Sequence, residues 1–288
     1  MNLGAPSRTC EAFALVDIDP REEGSPAAQF LLPILPRSAT LLNLLLQDDA
    51  IDLELASAVV ALDPGLAFAV LQLANSTQGD CLDLTWQLPQ AIVAAGRCRL
   101  QQLVNQAPTV DSRTAGSRRR SLQLAQDAVV RACIAHELAR GLGRSNPKKC
   151  FLGGLLFELP EMLRLNLPGR DGSGARFLPA MCHCLPSSIV RAIMMAAGGS
   201  TGGYSVTVAT IHLANRLLTA SGPAPAPEPG MQGTFGLPYW QCWPELDGRR
   251  RCSLLESSAE LARWARTSVD RLNPWDFMAK LERRRPWG

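Results

Sequence analysis

The segment Asp63 to Ser76, Asp-Pro-Gly-Leu-Ala-Phe-Ala-Val-Leu-Gln-Leu-Ala-Asn-Ser, constrains this chain more than any other. Asp63 has the short acceptor side chain of an N-cap, and Pro64 stands where a first helical residue needs no amide hydrogen, so a helix begins here. Leu66 to Leu71 are all apolar, and Gln72 is the single long polar side chain before Asn75. A helix with no face fit for water belongs at the centre of a fold and needs other elements to cover it.

The flanking segments supply that cover. Leu35, Ala39, Leu42 and Leu46 recur at helical spacing after Pro36, and Leu55, Ala56, Val59 and Leu62 do so after Asp52, a second N-cap. Three short helices packed in succession are expected. Downstream, Ala125, Ala128, Val129, Ala132, Ala135, Ala139 and Leu142 mark the buried side of a long helix from about Leu122 to Leu142, with Gly143 placed to end it. Phe151 to Leu165 reads as a helix that Pro160 kinks or breaks. Pro186-Ser187-Ser188 opens another through Ile189, Ile193 and Met194, and Ser205 to Leu218 reads as a further one.

Between these lie segments without apolar periodicity. Thr109 to Ser121, containing Arg118-Arg119-Arg120, reads as a loop dividing the helices into two groups. Gly169 to Gly174 reads as a turn, and Gly198 to Gly203 as a flexible linker. Trp86 falls between two helix signals. It serves either as a contact surface or, the expected role, as an aromatic filling the gap between helices.

The 47% hydrophobic content over 288 residues suffices for a real core, in one large domain or two modest ones. Residues 1–28 read as an arm, broken by Pro6, Pro20 and Pro26 and too acidic for a secretory signal. No stretch approaches the roughly 20 apolar residues of a membrane span. A soluble, cytoplasmic protein without a membrane role is expected. The nine cysteines are odd in number and scattered through helical segments, which favours reduced thiols over a disulfide framework. A net charge of +3 creates no broad field that dictates a polyanionic partner.

The domain reading places a helical domain over 29–222, a proline-rich spacer over 223–230 and an extension over 231–288. The extension carries Trp240, Trp243, Trp264, Trp275 and Trp287, with an amphipathic helix around Leu254 to Val269. Its rings either pack back on the domain, the expected outcome, or form a partner surface.

Several segments together resemble the HDOD domain. They are Leu32-Pro33-Ile34-Leu35-Pro36, Gln47 to Leu53, Asp63-Pro64, Leu73-Ala74-Asn75-Ser76, Leu84 to Ile92 through Gly96, Phe151 to Leu156, and Ile211-His212-Leu213-Ala214-Asn215. The resemblance covers roughly Phe30 to Ser221 and rests on the order and spacing of the pieces. It implies an all-α bundle with an N-terminal helical lobe and an HD-like lobe. It also implies a non-catalytic relative of the HD phosphohydrolases that works in bacterial signalling.

An active HD phosphohydrolase needs imidazole nitrogens and carboxylate oxygens converging on a divalent cation. By the resemblance, the first histidine position falls near Asp127, the His-Asp pair at Phe157-Glu158, a later histidine pair at Ala196-Ala197 and the late aspartate at Asn215. Only oxygen donors survive there, and Phe157 puts a ring where an ion would sit. His136, His183 and His212 do not rebuild a site, because Cys182-His183-Cys184 lacks the CxxC or HxxxH spacing of a zinc centre. Neither a nucleophile elbow nor a phosphate-binding glycine loop is present. The expectation is a protein with no catalytic, metal or cofactor residues, acting through protein partners in a signalling pathway. The alternative is a nucleic-acid or cyclic-dinucleotide regulator using Arg118–Arg120, Arg249–Arg251 and Arg283–Arg285, whose guanidinium groups match phosphates. A residual metal phosphohydrolase is a third reading.

Overall fold

A computed structural model describes residues 32–48, 50–76, 84–110, 115–166, 184–196 and 205–220, with isolated positions at 242, 249, 250, 253, 256, 257 and 260. The described residues lie in one compact unit that begins at Leu31, and the fold is all-α. Ten helices follow in order: α1 Pro36–Leu45, α2 Leu53–Ala61, α3 Pro64–Asn75, α4 Leu88–Ala95, α5 Arg97–Gln106, α6 Ala115–Leu142, α7 Pro147–Leu155, α8 Leu159–Asn166, α9 Ser187–Ala196 and α10 Val206–Ala220.

α3 is the buried centre that its sequence demands. Every residue from Pro64 to Asn75 is buried except the half-buried Gln72. It is covered by α2, α4, α5 and the long α6. Asp52 and Asp63 cap α2 and α3 as read, accepting from the Leu55 amide at 2.9 Å and the Leu66 amide at 3.0 Å. Asp63 does more: its second oxygen takes the Leu35 amide at 2.7 Å, so one carboxylate fixes the starts of both α1 and α3. The first lobe closes on itself where Ile34 pairs with Thr109 in an isolated parallel bridge. There the Ile34 amide donates to Pro108 at 2.9 Å and the Val110 amide to Ile34 at 3.1 Å.

The environment of Asp63 makes stability depend on pH. Burial pushes its carboxyl up to about 6 from the ordinary 3.8, against the pull of the Leu35 and Leu66 amides, the Ser38 hydroxyl and the Gly65 amide. Between those two values the folded chain holds a proton that the unfolded chain releases. The stabilisation from that proton is therefore complete below 3.8 and lost as pH rises through 6. Lowering the pH from 7 to 5 should stabilise the wild type by about 1 kcal/mol relative to Asp63→Asn, read as the difference between their urea-unfolding free energies. An equal response in the two proteins would contradict this.

In the second lobe, α6 packs most extensively on α7 and α10. Val130, Ile134, Leu138 and Leu142 of α6 form one cluster with Cys150 of α7 and Leu213, Leu217 and Leu218 of α10. α6 begins seven residues before the expected Leu122, so much of the expected loop from Thr109 to Ser121 is helix. Arg118, Arg119 and Arg120 are exposed on its early turns, and arginine is a good helix former that needs no apolar stripe. Gly143 ends α6 with φ +66°, its amide donating to Ala139 at 3.0 Å.

Pro160 neither kinks nor interrupts a helix. α7 stops at Leu155, and Pro160 is the second residue of α8, where a missing amide hydrogen costs nothing. The segments 169–174, 198–203 and 223–230 lie outside the described residues, as do Trp240, Trp243, Trp264, Trp275 and Trp287. At Cys242 the extension meets the body: this residue packs partly buried on the α6–α10 cluster, and its carbonyl accepts from Arg144 at 3.0 Å. No described helix is long and apolar enough to cross a membrane.

Candidate functional site

The positions that the resemblance assigns to metal ligands come together from three parts of the second lobe. Asp127 is on α6, Phe157 and Glu158 are in the turn between α7 and α8, and Asn215 is on α10. What they surround is the side chain of Arg131, one helical turn beyond Asp127 and only 2% exposed. Its Nη2 donates to Glu158 Oε1 at 2.8 Å, and its Nε donates to Asn215 Oδ1 at 2.9 Å. The guanidinium carbon lies 5.0 Å from the centroid of the Phe157 ring, a cation–π distance.

Burial draws the Arg131 guanidinium below the ordinary arginine range, and the carboxylates of Glu158 and then Asp127 pull it back up. Arginine does not give up its proton in proteins, so the site holds a permanent cation. Phe157 completes the floor: 4% exposed, it meets the His212 ring edge-on at 5.1 Å and packs with Ala192, Val208 and Ile211. Burial draws His212 below its usual range, the Ala192 backbone opposing and Arg216 reinforcing this. Neutral imidazole suits a ring set edge-on against Phe157.

These residues do not fit a divalent metal. Glu158 and Asn215 each already spend an oxygen on Arg131, Phe157 offers no donor, and a fixed guanidinium repels a second cation. Among the described residues no group of three His, Cys, Asp or Glu side chains is placed to hold a metal ion. Ala196 ends α9, and Ala197 lies outside the described residues. Of Cys182-His183-Cys184 only Cys184 is described, and its carbonyl accepts from Asn75.

Sequence reasoning placed Glu158, Phe157 and Asn215 but missed Arg131. The available signal was a lone arginine on an otherwise apolar stretch, Ala128-Val129-Val130-Arg131-Ala132-Cys133-Ile134, four residues after an aspartate. A charge on a buried stripe requires a partner, and that requirement points to the carboxylate opposite.

Asn75, in the Leu73-Ala74-Asn75-Ser76 segment, is a second positioning residue. Only 6% exposed, it donates to the carbonyls of Thr85 at 2.9 Å and Cys184 at 3.0 Å and accepts from the Thr85 amide at 2.9 Å. It therefore ties the end of α3 to the approaches of α4 and α9. Of the arginine triplets, Arg120 makes a loose ion pair with Glu161 at 3.9 Å. Arg249 and Arg250 are exposed on a helix, and 251 and 283–285 lie outside the described residues.

Residues 32–169 match the model of the HDOD domain family. Among solved structures, the chain is similar to the MmoQ response regulator from Methylococcus capsulatus str. Bath. The likeness has 17% identity and a TM-score of 0.54, over 78% of this chain and 97% of that one. A fragment of the same protein, residues 20–298, gives 16% identity and a TM-score of 0.49, over 72% and 92%. At such identity the first likeness speaks for the fold, which extends beyond residue 169. No curated protein matches the sequence.

Proposed function

This chain is an HDOD-domain protein, and from that premise we propose that it is a non-catalytic regulator in signal transduction that acts by binding other proteins. One observation carries the reading: the side chains at the ligand positions of an HD-type centre close around Arg131. An internal cation gives the same helices the charge balance that a metal would give, and it offers no open position for water or phosphate. That arrangement preserves a scaffold and supplies no nucleophile. The likeness to a response regulator agrees with a place in a signalling chain.

The test is hydrolysis by the purified full chain. Cyclic dinucleotides and nucleoside phosphates, incubated with manganese or magnesium, should remain intact over hours, and elemental analysis should find no stoichiometric metal. Turnover that Glu158→Ala abolishes would overturn the proposal, because it would require Glu158 to serve the reaction rather than Arg131.

A further inference from the structure

A cavity of about 490 Å³ opens where the two lobes meet, and its lining shares no residue with the Arg131 cluster. α2 and the start of α4 wall it from the first lobe, and α6 and α7 from the second. Its volume lies within the range of small-molecule sites, about 300–1,000 Å³. The half-buried Trp86 lines it, so the gap between helices at this tryptophan is left open rather than filled.

The walls specify a chemistry. Trp86 and Phe151 present aromatic surface, and the His136 ring stands edge-on to Phe151 at 6.4 Å and 85°. The Nδ1 of His136 lies 3.2 Å from Glu137 Oε1, a carboxylate that also accepts from Arg140 at 3.3 Å. A carboxylate only accepts, which assigns a hydrogen to Nδ1; with that single ring hydrogen, Nε2 is an acceptor. Ser57 likewise spends its hydroxyl hydrogen on the Leu53 carbonyl at 2.6 Å, so its oxygen is left to accept. Glu54 and Lys148, both exposed, set one charge of each sign on the lining and demand no net charge of an occupant.

We propose that this cavity binds a small, uncharged, planar aromatic molecule carrying an N–H or O–H donor, its ring against Trp86 and Phe151 and its donor on His136 Nε2. The binding claim stands apart from the regulatory reading. If both hold, a ligand touching both lobes favours their packed arrangement, and the cavity is an input to the module.

The test uses the full chain and two probes with one ring system, 2-naphthol, which has a donor, and 2-methoxynaphthalene, which has none. Affinities come from calorimetry and ligand-observed NMR. 2-Naphthol should bind about five-fold or more tightly than the ether, the factor a single hydrogen bond supplies. His136→Phe should reduce 2-naphthol to the level of the ether with unchanged circular dichroism, and Ser57→Phe, which fills the space, should remove binding of both. Equal affinity for the two probes, equal binding by wild type and both variants, or no binding at millimolar probe would overturn the proposal.

Discussion

Replacing Arg131 with methionine is expected to lower the unfolding free energy by about 3 kcal/mol, the low end of what removing one partner from a buried ion pair costs. Methionine fills similar space, so the loss comes from what is stranded: Glu158 and Asn215 lose the donors at 2.8 and 2.9 Å that satisfy them. The low end applies because the Glu158 side chain is 29% exposed and can turn partly to water. Arg131→Lys keeps the charge without the planar fork and should fall between wild type and Arg131→Met. Arg131→Met combined with Glu158→Gln should recover more than half of the loss, because the charge is then removed from both sides. Urea unfolding followed by circular dichroism reads all three, with the midpoint shifting and the slope unchanged. A loss below about 1 kcal/mol in Arg131→Met would mean that the cation does not hold these helices together.

Replacing Gly154 with valine is expected to cost about 3 kcal/mol, through overpacking at the contact of α6 with α7. A Cβ at Gly154 would lie 2.9 Å from Ala132 Cα, 3.0 Å from Ala132 N and 3.0 Å from Arg131 O, all backbone atoms of α6 that cannot turn aside. α7 must then move off α6, and the turn carrying Phe157 and Glu158 moves with it. Gly154→Ala should cost less, because alanine gains about 1 kcal/mol of helix propensity against the same clash. Gly153→Ala is the comparison: the three atoms nearest its Cβ are side-chain atoms of Ile211 and Ile189, led by the far end of Ile211, which can turn where backbone cannot, so it should cost less than either change at Gly154. Thermal or urea midpoints ranked Gly153→Ala, Gly154→Ala, Gly154→Val from most to least stable are the expected result. Equal stability of Gly153→Ala and Gly154→Val would contradict it.

The two variants disturb the same centre from different sides, and the contrast explains what could be read in advance. Asp52, Asp63, Pro64 and Gly143 act on neighbours within four residues, so their roles as caps and stops are written locally. The apolar runs of α3 and of the second half of α6 likewise announce burial, because each counts its own residues. Pro160 and the arginines before Leu122 misled because both are locally ambiguous. A proline reads alike as an interruption or as the opening turn of a new helix, and a polar stretch reads alike as a loop or as a helix projecting into water. Their meaning depends on where the neighbouring helix ends.

The sequence by itself determined an all-helical fold, the central place of α3, and the caps that start and stop its helices. These follow from side-chain chemistry at fixed short spacings, which helical geometry converts directly into faces and ends. Tertiary structure alone decided that Arg131, Glu158 and Asn215 meet, 27 and 84 residues apart along the chain. It also decided that Asp63 holds Leu35 from 28 residues away, and that Trp86 faces a cavity rather than a filled gap. A hydrogen bond or a void depends on positions to a fraction of an ångström, and only the packing of whole helices sets those positions.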